Sequence, residues 1–290
     1  MPSSTPRWPD ALLTALAPMI WGSTYLVTTE LLPPGRPFTA ALLRALPAGL
    51  LLVLATRQLP ARGSWGRLLC LAALNIGVFQ ALLFVAAYRL PGGLAAVVGA
   101  IQPLLVMGLA WGVDRHRPPP AALLAGVAGV IGMAALILSP HTVWEPIGLA
   151  AALAGAACMA GGTFLTRRWP TGLPVLALTG WQLLLGGLML APVALWADAP
   201  LPPLSLPQGL GYTYLSLAGA LLAYALWFRG IGRLPAVAVS SLGLLSPLTA
   251  VVLGWLVLGQ AMTGWSLLGL VMVFGSILTV QRAMNPARAS

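Results

Sequence analysis

The stretch "APMIWGSTYLV", residues 17–27, lies inside the first long apolar segment of the chain and interrupts it with residues that a plain hydrophobic helix does not need. Pro18 removes one backbone donor and frees a carbonyl a turn earlier, while Gly22 lets another backbone or a ligand approach closely. Trp21 and Tyr25 add two polar aromatic side chains. The stretch is therefore either a kinked helix packed closely against a neighbour, or the wall of a cavity that a substrate enters.

The composition places this segment in a membrane. Of the 290 residues, 59% are hydrophobic and 7% are charged, and the mean hydropathy is +0.92, whereas soluble domains carry about 25% charged residues. Apolar runs of the length that crosses the hydrocarbon core, about 17 to 25 residues, recur along the whole sequence. We predict an all-α integral membrane protein with ten transmembrane helices, called spans 1 to 10 in chain order: 11–29, 38–56, 68–87, 92–113, 121–138, 147–166, 173–196, 209–228, 236–257 and 264–281. Span 1 is interpreted as retained rather than as a signal peptide, because it lacks a clear small-residue cleavage site.

The charges indicate how the spans are oriented. A net charge of +10 would suggest nucleic-acid binding in a soluble protein, but the chain has no lysine and its 15 arginines follow the membrane, so no nucleic acid is expected. Arg36 and Arg89 lie on one side and Arg44 lies within span 2. The other twelve lie on the opposite side: Arg7, Arg57, Arg62, Arg67, Arg115, Arg117, Arg167, Arg168, Arg229, Arg233, Arg282 and Arg288. The positive-inside rule predicts a multi-pass protein of the inner (plasma) membrane with both termini in the cytoplasm.

The chain contains an internal repeat with five spans in each copy. "WGSTYL" at 21–26 aligns with "AGGTFL" at 160–165, and "RLPGGLAAVVGAIQPLL" at 89–105 aligns with "RLPAVAVSSLGLLSPLT" at 233–249. Because five is an odd number, the two copies are expected to enter the membrane from opposite sides as an inverted repeat. The predicted repeats cover residues 1–142 and 143–290.

Glycine or proline interruptions at corresponding positions of two inverted halves are the best sequence pointer to a transporter's substrate site. Here the corresponding pairs are Gly22 with Gly161 and Pro103 with Pro247. We therefore favour the cavity-lining interpretation of the opening stretch.

These motifs resemble a known family. The "WGSTY" of span 1, the arginine early in span 2, the "LPGGLAAVV" and "QP" of spans 3 and 4, and "SPLTAVVLGWLVLGQAMTGWSLLGLVMVFGSIL" at 246–278 are similar to the ten-span members of the drug/metabolite transporter superfamily, the EamA-type exporters. The resemblance covers nearly the whole chain, and within that family the chain looks most similar to the YddG-type exporters of amino acids, particularly aromatic ones.

The resemblance implies a ten-helix bundle with an inverted repeat, a central cavity mainly between spans 1, 3, 4, 6, 8 and 9, and outward movement of small metabolites. One departure is Gln260, which stands where the family usually has an acidic residue. A structural salt bridge or helix cap is therefore expected to be missing at that position.

A transport site needs polar groups that replace the hydration shell of the substrate, set among apolar walls. The candidates for substrate binding are polar or aromatic side chains within the spans of the expected cavity: Trp21, Tyr25, Asn75, Phe79, Gln80, Gln102, Thr163, Tyr224, Trp227, Ser240 and Ser246. The candidates for gating or local structure are Pro18, Gly22, Arg44, Pro103, Gly161 and Pro247. For each polar candidate, interhelical hydrogen bonding is the competing interpretation.

The distribution of charges within the spans favours a neutral or zwitterionic substrate. Arg44 is the one charge within a predicted span, where an ionisable residue is a functional hypothesis by default, although its side chain could also extend outward or pair with Glu30. All five acids fall at span ends or in loops: Asp10, Glu30, Asp114, Glu145 and Asp198. No carboxylate is predicted at mid-membrane to carry a proton or to bind sodium or a cationic drug. Amino acids fit this pattern.

The remaining motifs are assigned to structure. Cys70 and Cys158 are interpreted as small buried hydrophobes, and His116 and His141 lie in loops on opposite sides, so no metal or other cofactor is expected. Two glycine sets are expected to pack inside the bundle, which is compatible with a monomer: Gly108 with Gly112, and Gly126, Gly129 and Gly132.

Together these features predict a secondary transporter, and not an enzyme, that exports amino acids, above all aromatic and other neutral ones, and related small metabolites across the inner membrane by alternating access. Its partners would be the small-molecule substrate and the lipid bilayer. The alternatives are a drug or nucleotide-sugar carrier of the same fold, a membrane enzyme, for which the sequence offers no catalytic constellation, and a channel, which saturable counterflow would exclude.

Overall fold

The structure is a computed structural model that describes residues 8–90, 94–137, 145–259 and 264–284. Ten of its helices are long and apolar enough to cross a membrane. Those of the first half are Trp8–Leu31, Pro37–Thr56, Arg62–Ala86, Ala95–Asp114 and Pro120–Ile137, and those of the second half are Pro146–Arg168, Val175–Ala197, Leu206–Arg233, Ala236–Leu258 and Gly264–Met284. The prediction of an all-α protein with ten spans is confirmed. Gln260 and His141 lie outside the described residues.

Span 8 is longer than the sequence predicted, because its ends are stabilised by polar residues that hydropathy does not count. It covers Leu206–Arg233 rather than 209–228. At its start, the side chain of Gln208 accepts a 2.9 Å hydrogen bond from the backbone N–H of Ser205, as in a capping box. At its end, Arg233 lies in the last turn, where a cation interacts favourably with the carbonyl end of the helix.

Spans 3 and 8 each contain a π-helical segment, Ala73–Gly77 and Leu217–Leu222. The flanking α-helices are Trp65–Ala72 and Val78–Arg89 in span 3, and Leu206–Ser216 and Ala223–Arg233 in span 8. In the sequence alignment of the two halves, the π-helical segments fall at corresponding positions. A π-helical turn leaves backbone groups without their usual α-helical partners and is frequent at functional sites.

Spans 4 and 9 are each broken into two helices. The pieces are Leu94–Gly99 and Gln102–Asp114 in span 4, and Ala236–Leu242 and Leu245–Leu258 in span 9. Pro103 and Pro247 lie in the first turn of the second pieces, where a missing N–H leaves no helical bond unmade. Pro18 differs from them, because span 1 is one continuous helix through it.

The spans pack in pairs that the two halves share. Span 2 packs along span 7 and span 5 along span 10, while span 3 packs on span 6 and span 1 on span 8. Each span can be replaced by its counterpart in the other half, span 1 by span 6, span 2 by span 7 and so on. The pair of spans 3 and 6 then becomes the pair of spans 8 and 1, and the other two pairs are unchanged. The folded bundle therefore has the pairing pattern that a two-fold relation between the halves requires.

Glycines allow the closest approach between spans 5 and 10. A Cβ atom added to Gly269 would lie 2.5 Å from the carbonyl oxygen of Gly132, so the two backbones are in direct contact. A Cβ on Gly129 would lie 2.7 Å from the hydroxyl of Ser276, and one on Gly126 would lie 2.7 Å from Leu104. Packing of this glycine stripe inside the bundle is confirmed.

The same prediction is wrong for the GxxxG motif of span 4. Gly108 and Gly112 are exposed, and no neighbouring atom among the described residues lies within 4 Å of the place where a Cβ would stand. The motif lies on the outer surface of the folded chain and not against another span.

Candidate functional site

An aromatic cluster lies where span 1 meets span 8. The ring of Trp21 is 4.9 Å from that of Tyr224 and 5.2 Å from that of Trp227, and Tyr224 is 5.8 Å from Phe228. Tyr224 and Trp227 lie just after the π-helical segment of span 8 and are almost fully buried. Three candidates from the sequence, Trp21, Tyr224 and Trp227, are thus in contact.

Two amide side chains extend this cluster from spans 3 and 4. The Nε2 of Gln80 donates a 3.1 Å hydrogen bond to the hydroxyl of Tyr224. Gln102 stands at the break in span 4 and faces the break in span 9: a Cβ added to Gly243 would lie 3.7 Å from the Oε1 of Gln102 and 3.8 Å from the ring of Trp227. The structure therefore brings five predicted residues together, and we call Trp21, Gln80, Gln102, Tyr224 and Trp227 the central site.

Three polar atoms of the central site have no hydrogen-bond partner among the described residues. They are the Oε1 of Gln80, the Nε2 of Gln102 and the Nε1 of Trp227. Gln80 and Trp227 are 2% and 1% exposed, and an unpaired polar group at such burial costs about 1–3 kcal/mol. Two donors and one acceptor among aromatic walls can bind a small apolar or aromatic molecule that carries polar ends.

Arg44 and Trp21 meet at a backbone carbonyl that the π-helical segment of span 8 exposes. The Nη2 of Arg44 and the Nε1 of Trp21 each donate a 3.0 Å hydrogen bond to the carbonyl oxygen of Gly219. The alternative pairing of Arg44 with Glu30 is wrong, because no ion pair joins them in the described structure, where Glu30 accepts a 3.4 Å hydrogen bond from the hydroxyl of Thr29. Gly219 is not among the residues predicted for the site, since no side chain marks its role.

Asn75 is held by spans 6 and 7 and not by the central site. Its Nδ2 donates to the hydroxyl of Thr166 at 3.1 Å and to the Oε1 of Gln182 at 2.8 Å. These contacts match the competing interpretation of interhelical hydrogen bonding. Thr163 is fully buried with a hydroxyl that has no partner among the described residues. Phe79 is half-buried, and its ring lies 4.0 Å from the place where a Cβ on Gly155 would stand.

Apart from Trp21, the candidates on spans 1 and 9 lie outside the central site. A Cβ added to Gly22 would lie 2.5 Å from the carbonyl oxygen of Ser246, so these two spans touch through their backbones. The hydroxyl of Ser240 donates to the carbonyl of Val237 at 2.9 Å, within its own helix. Tyr25 is 47% exposed and lies outside the aromatic cluster.

Gly161 and Gly22 differ in how closely a neighbouring span packs on them. It corresponds to Gly22, yet no neighbouring atom among the described residues lies within 4 Å of the place where its Cβ would stand. The close contact that Gly22 makes with span 9 is therefore open at the corresponding place in the second half.

Ion pairs join the spans at both ends of the bundle. At the end where span 1 begins, which we call the N-terminal face, Asp10 pairs with Arg229 at 2.7 Å and Arg233 at 3.3 Å, and Asp114 pairs with Arg168. At the opposite face Arg89 pairs with Glu145 at 3.4 Å. The acids stand at span ends, as the sequence predicted.

Arg167 makes a contact that the sequence did not indicate. Its Nη1 donates to the carbonyl oxygens of Ile231, at 3.2 Å, and of Leu234. The guanidinium thus binds the carbonyl end of span 8 and ties it to the end of span 6 at the N-terminal face. The charge pattern showed only that Arg167 lies at that face.

A cavity lies away from the central site, at the opposite face. It has a volume of about 330 Å³ and is lined by ends of spans 2, 3, 6 and 7, including Phe38, Phe84, Arg89 and Asp198. Both charges already have partners, since Arg89 pairs with Glu145 and Asp198 accepts a hydrogen bond from the backbone of Thr39 at 2.5 Å. None of the candidate residues lines this cavity.

Comparison with known proteins agrees with this architecture. The EamA-like transporter family model matches the chain twice, at residues 8–138 and 146–281. Protein PecM of Dickeya dadantii is 46% identical over 268 residues, which cover 91% of this chain and 90% of that protein. The uncharacterized transporter YwfM of Bacillus subtilis is 27% identical over 280 residues, covering 94% of each chain.

A crystal structure of another protein has the same fold, with a TM-score of 0.77 at 19% identity, and the match covers 94% of this chain and 96% of that one. The family model accounts for both halves of the bundle, and the relatives named above extend over almost the whole chain. The chain therefore belongs to the EamA-like transporter family and is a multi-pass membrane transporter of the drug/metabolite type.

Proposed function

We propose that the protein exports amino acids, aromatic and other neutral ones above all, and that they bind at the central site. The observation that carries the proposal is the set of three unpartnered polar atoms, on Gln80, Gln102 and Trp227, within buried aromatic walls. Two donors suit a carboxylate, one acceptor suits an ammonium, and the rings suit an apolar side chain. The cation Arg44, which bonds the same carbonyl as Trp21 of the central site, weighs against the alternative of a cationic drug.

Transport would proceed by alternating access between two inverted halves. Three observations support an inverted repeat: the π-helical segments recur in spans 3 and 8, the breaks recur in spans 4 and 9, and the family model matches each half separately. With an odd number of spans in each half, the copies run antiparallel and can exchange conformations. The positive-inside rule supports an inner-membrane protein with cytoplasmic termini, so the N-terminal face would be the cytoplasmic one.

The packing of the broken spans supports a state closed toward the N-terminal face. The first piece of span 9, Ala236–Leu242, packs on span 6 and on the second piece of span 4. The corresponding piece, Leu94–Gly99, has no comparably extensive contact with span 1 or with the second piece of span 9 in the described part of the chain. The halves thus differ in the way that alternating access requires.

Counterflow in proteoliposomes tests the proposal. Liposomes preloaded with unlabelled phenylalanine, leucine or no amino acid receive labelled phenylalanine outside. We expect transient, saturable accumulation that depends on the preload. No accumulation from any amino-acid preload, with folded protein confirmed by size-exclusion chromatography, would refute the substrate and direct attention to nucleotide sugars and drugs.

A matched pair of variants links transport to the central site. Trp227→Phe keeps an aromatic ring and removes the unpartnered N–H, so we expect the KM for phenylalanine to rise about tenfold, the equivalent of roughly 1.4 kcal/mol. Trp265→Phe makes the same change at a residue that is 72% exposed, and its KM should equal that of the wild type. Equal KM values in the two variants would show that the N–H of Trp227 does not bind the substrate.

A further inference from the structure

Arg44 carries a positive charge among the spans without an acidic partner. Its Nη2 binds the carbonyl of Gly219, and its Nε is buried with no partner in the described structure. All five acids of the chain lie in the described residues, and each has a contact elsewhere: Asp10 with Arg229 and Arg233, Asp114 with Arg168, Glu145 with Arg89, Asp198 with Thr39, and Glu30 with Thr29. One neutral carbonyl leaves most of this charge uncompensated, which is unfavourable inside a membrane.

The other half of the protein shows that the cross-link itself needs no charge. Gln182 is the counterpart of Arg44 in the alignment of the two halves. Gln182 accepts a hydrogen bond from Asn75, which lies in the π-helical segment of span 3, whereas Arg44 donates to Gly219 in the π-helical segment of span 8. On span 7, a neutral amide is therefore enough for a hydrogen bond to the π-helical segment, and the corresponding bond from span 2 does not by itself need a charge. The charge of Arg44 requires a separate explanation.

Arg44 stands beside the central site. It shares the carbonyl of Gly219 with Trp21, whose ring packs on Tyr224 and Trp227. An anion bound against the aromatic cluster would therefore lie next to a guanidinium, whose planar set of N–H donors matches the two oxygens of a carboxylate.

We propose that Arg44 is the counter-charge for a carboxylate of the transported solute. The central site then selects carboxylic acids and zwitterions with an apolar or aromatic body over the corresponding amides and amines. This inference rests on the proposed use of the central site, but it fixes the charged group of the solute and is independent of whether the natural solute is an amino acid.

Two matched compounds test the inference. 3-Phenylpropionate and 3-phenylpropanamide have nearly the same shape and differ in charge. In wild-type proteoliposomes the acid should inhibit counterflow of labelled phenylalanine at about tenfold lower concentration than the amide, the size expected for a charge-assisted hydrogen bond. In detergent, the acid and not the amide should raise the melting temperature of the purified protein.

Three variants separate charge from cross-linking. Arg44→Gln copies the amide of Gln182 and should bring the ratio of acid to amide inhibition close to one. Arg44→Lys keeps the charge and should keep the preference for the acid. Gln182→Ala breaks the corresponding contact in the other half and should leave the ratio unchanged. If Arg44→Gln fails to fold, the wild-type ratio and Arg44→Lys still decide the question.

The outcomes distinguish this inference from the proposed function. Amino-acid counterflow with equal inhibition by acid and amide would overturn the role of Arg44 and leave the amino-acid proposal standing. No counterflow with any amino acid, together with a melting shift by the acid alone, would overturn the amino-acid proposal and support the role of Arg44. No preference for the acid in either assay overturns the inference.

Discussion

Asn75 donates a 2.8 Å hydrogen bond to Gln182 and so joins the π-helical segment of span 3 to span 7. Both side chains are fully buried. Each also has one polar atom without a partner in the described structure: the Oδ1 of Asn75 and the Nε2 of Gln182. A buried pair of this kind links two spans firmly only while both members are present.

A double-mutant cycle should show that these two residues are coupled. Asn75→Ala leaves the buried amide of Gln182 without this partner, and Gln182→Ala leaves Asn75 with its bond to Thr166 alone. Each should lower the free energy of unfolding by about 1–3 kcal/mol. The double variant should be less destabilised than the sum, with a coupling of roughly 0.6–2 kcal/mol. Unfolding monitored in detergent with a mild denaturant measures all three; additive losses would contradict the direct interaction.

The contact between spans 5 and 10 should tolerate no side chain. A Cβ on Gly269 would meet the carbonyl oxygen of Gly132 and the backbone nitrogen of Leu136, both at 2.5 Å. Gly269→Ala should therefore lower the free energy of unfolding by at least about 1–3 kcal/mol, the usual cost of overpacking. Melting temperatures in detergent provide the measurement.

Gly108→Ala is the matched control, since open space surrounds that position. Its melting temperature should equal or slightly exceed that of the wild type, because alanine favours the helix. A large loss at Gly108 with none at Gly269 would reverse the assignment of packed and open glycines.

The spans and the aromatic part of the central site could be predicted from the sequence, because both depend on the type and position of individual residues. Hydropathy locates a membrane helix whatever its neighbours are. Trp21 and Trp227 stand deep within spans that the repeat placed at the cavity, and their rings do meet. Gln80 and Tyr224, which align across the repeat, are hydrogen-bonded to each other.

The sequence did not show features that depend on backbone shape and on the arrangement of helices in space. The acceptor for Arg44 is the carbonyl of Gly219, which lies in a π-helical segment that no residue type predicts. Pro18 lies inside span 1, whereas Pro103 and Pro247 begin new helices, and residue type alone does not show which of these a proline will do. Gly108 and Gly112 have the spacing of a packing motif, yet only the tertiary structure shows which helix face meets a neighbour.

Arg167 should hold the N-terminal face closed. Its bonds to the carbonyls of Ile231 and Leu234 join spans 6 and 8, and hydrogen bonds to a charged group contribute roughly 1.5–3 kcal/mol. Arg167→Gln should therefore shift the population toward the state open at this face by about tenfold or more.

Labelling of a buried cysteine measures this shift. Ser240→Cys, in a background with Cys70→Ala and Cys158→Ala, places a thiol at a residue that is 1% exposed, in the first piece of span 9. A water-soluble maleimide added from the N-terminal face should react faster when Arg167→Gln is also present. Arg282→Gln, at the end of span 10, is the control and should not change the rate. Equal rates in all three proteins would show that Arg167 does not control access.

Gln80 should affect substrate affinity more than expression. It offers an unpartnered Oε1 and holds the hydroxyl of Tyr224 at 3.1 Å, so Gln80→Ala removes a contact to the solute and also frees Tyr224. We expect the KM for phenylalanine counterflow to rise about tenfold or more, since loss of one buried polar contact costs roughly 1–3 kcal/mol. Membrane expression should stay close to the wild-type level.

Tyr224→Phe separates the two roles of Gln80. It removes only the hydroxyl that Gln80 holds, and it leaves the Oε1 of Gln80 and the aromatic ring in place. A KM that rises much less in Tyr224→Phe than in Gln80→Ala would indicate that Gln80 contacts the solute itself. Equal rises would mean that Gln80 acts by positioning Tyr224, and parallel losses of flux and expression in both variants would make the pair a structural element of the bundle.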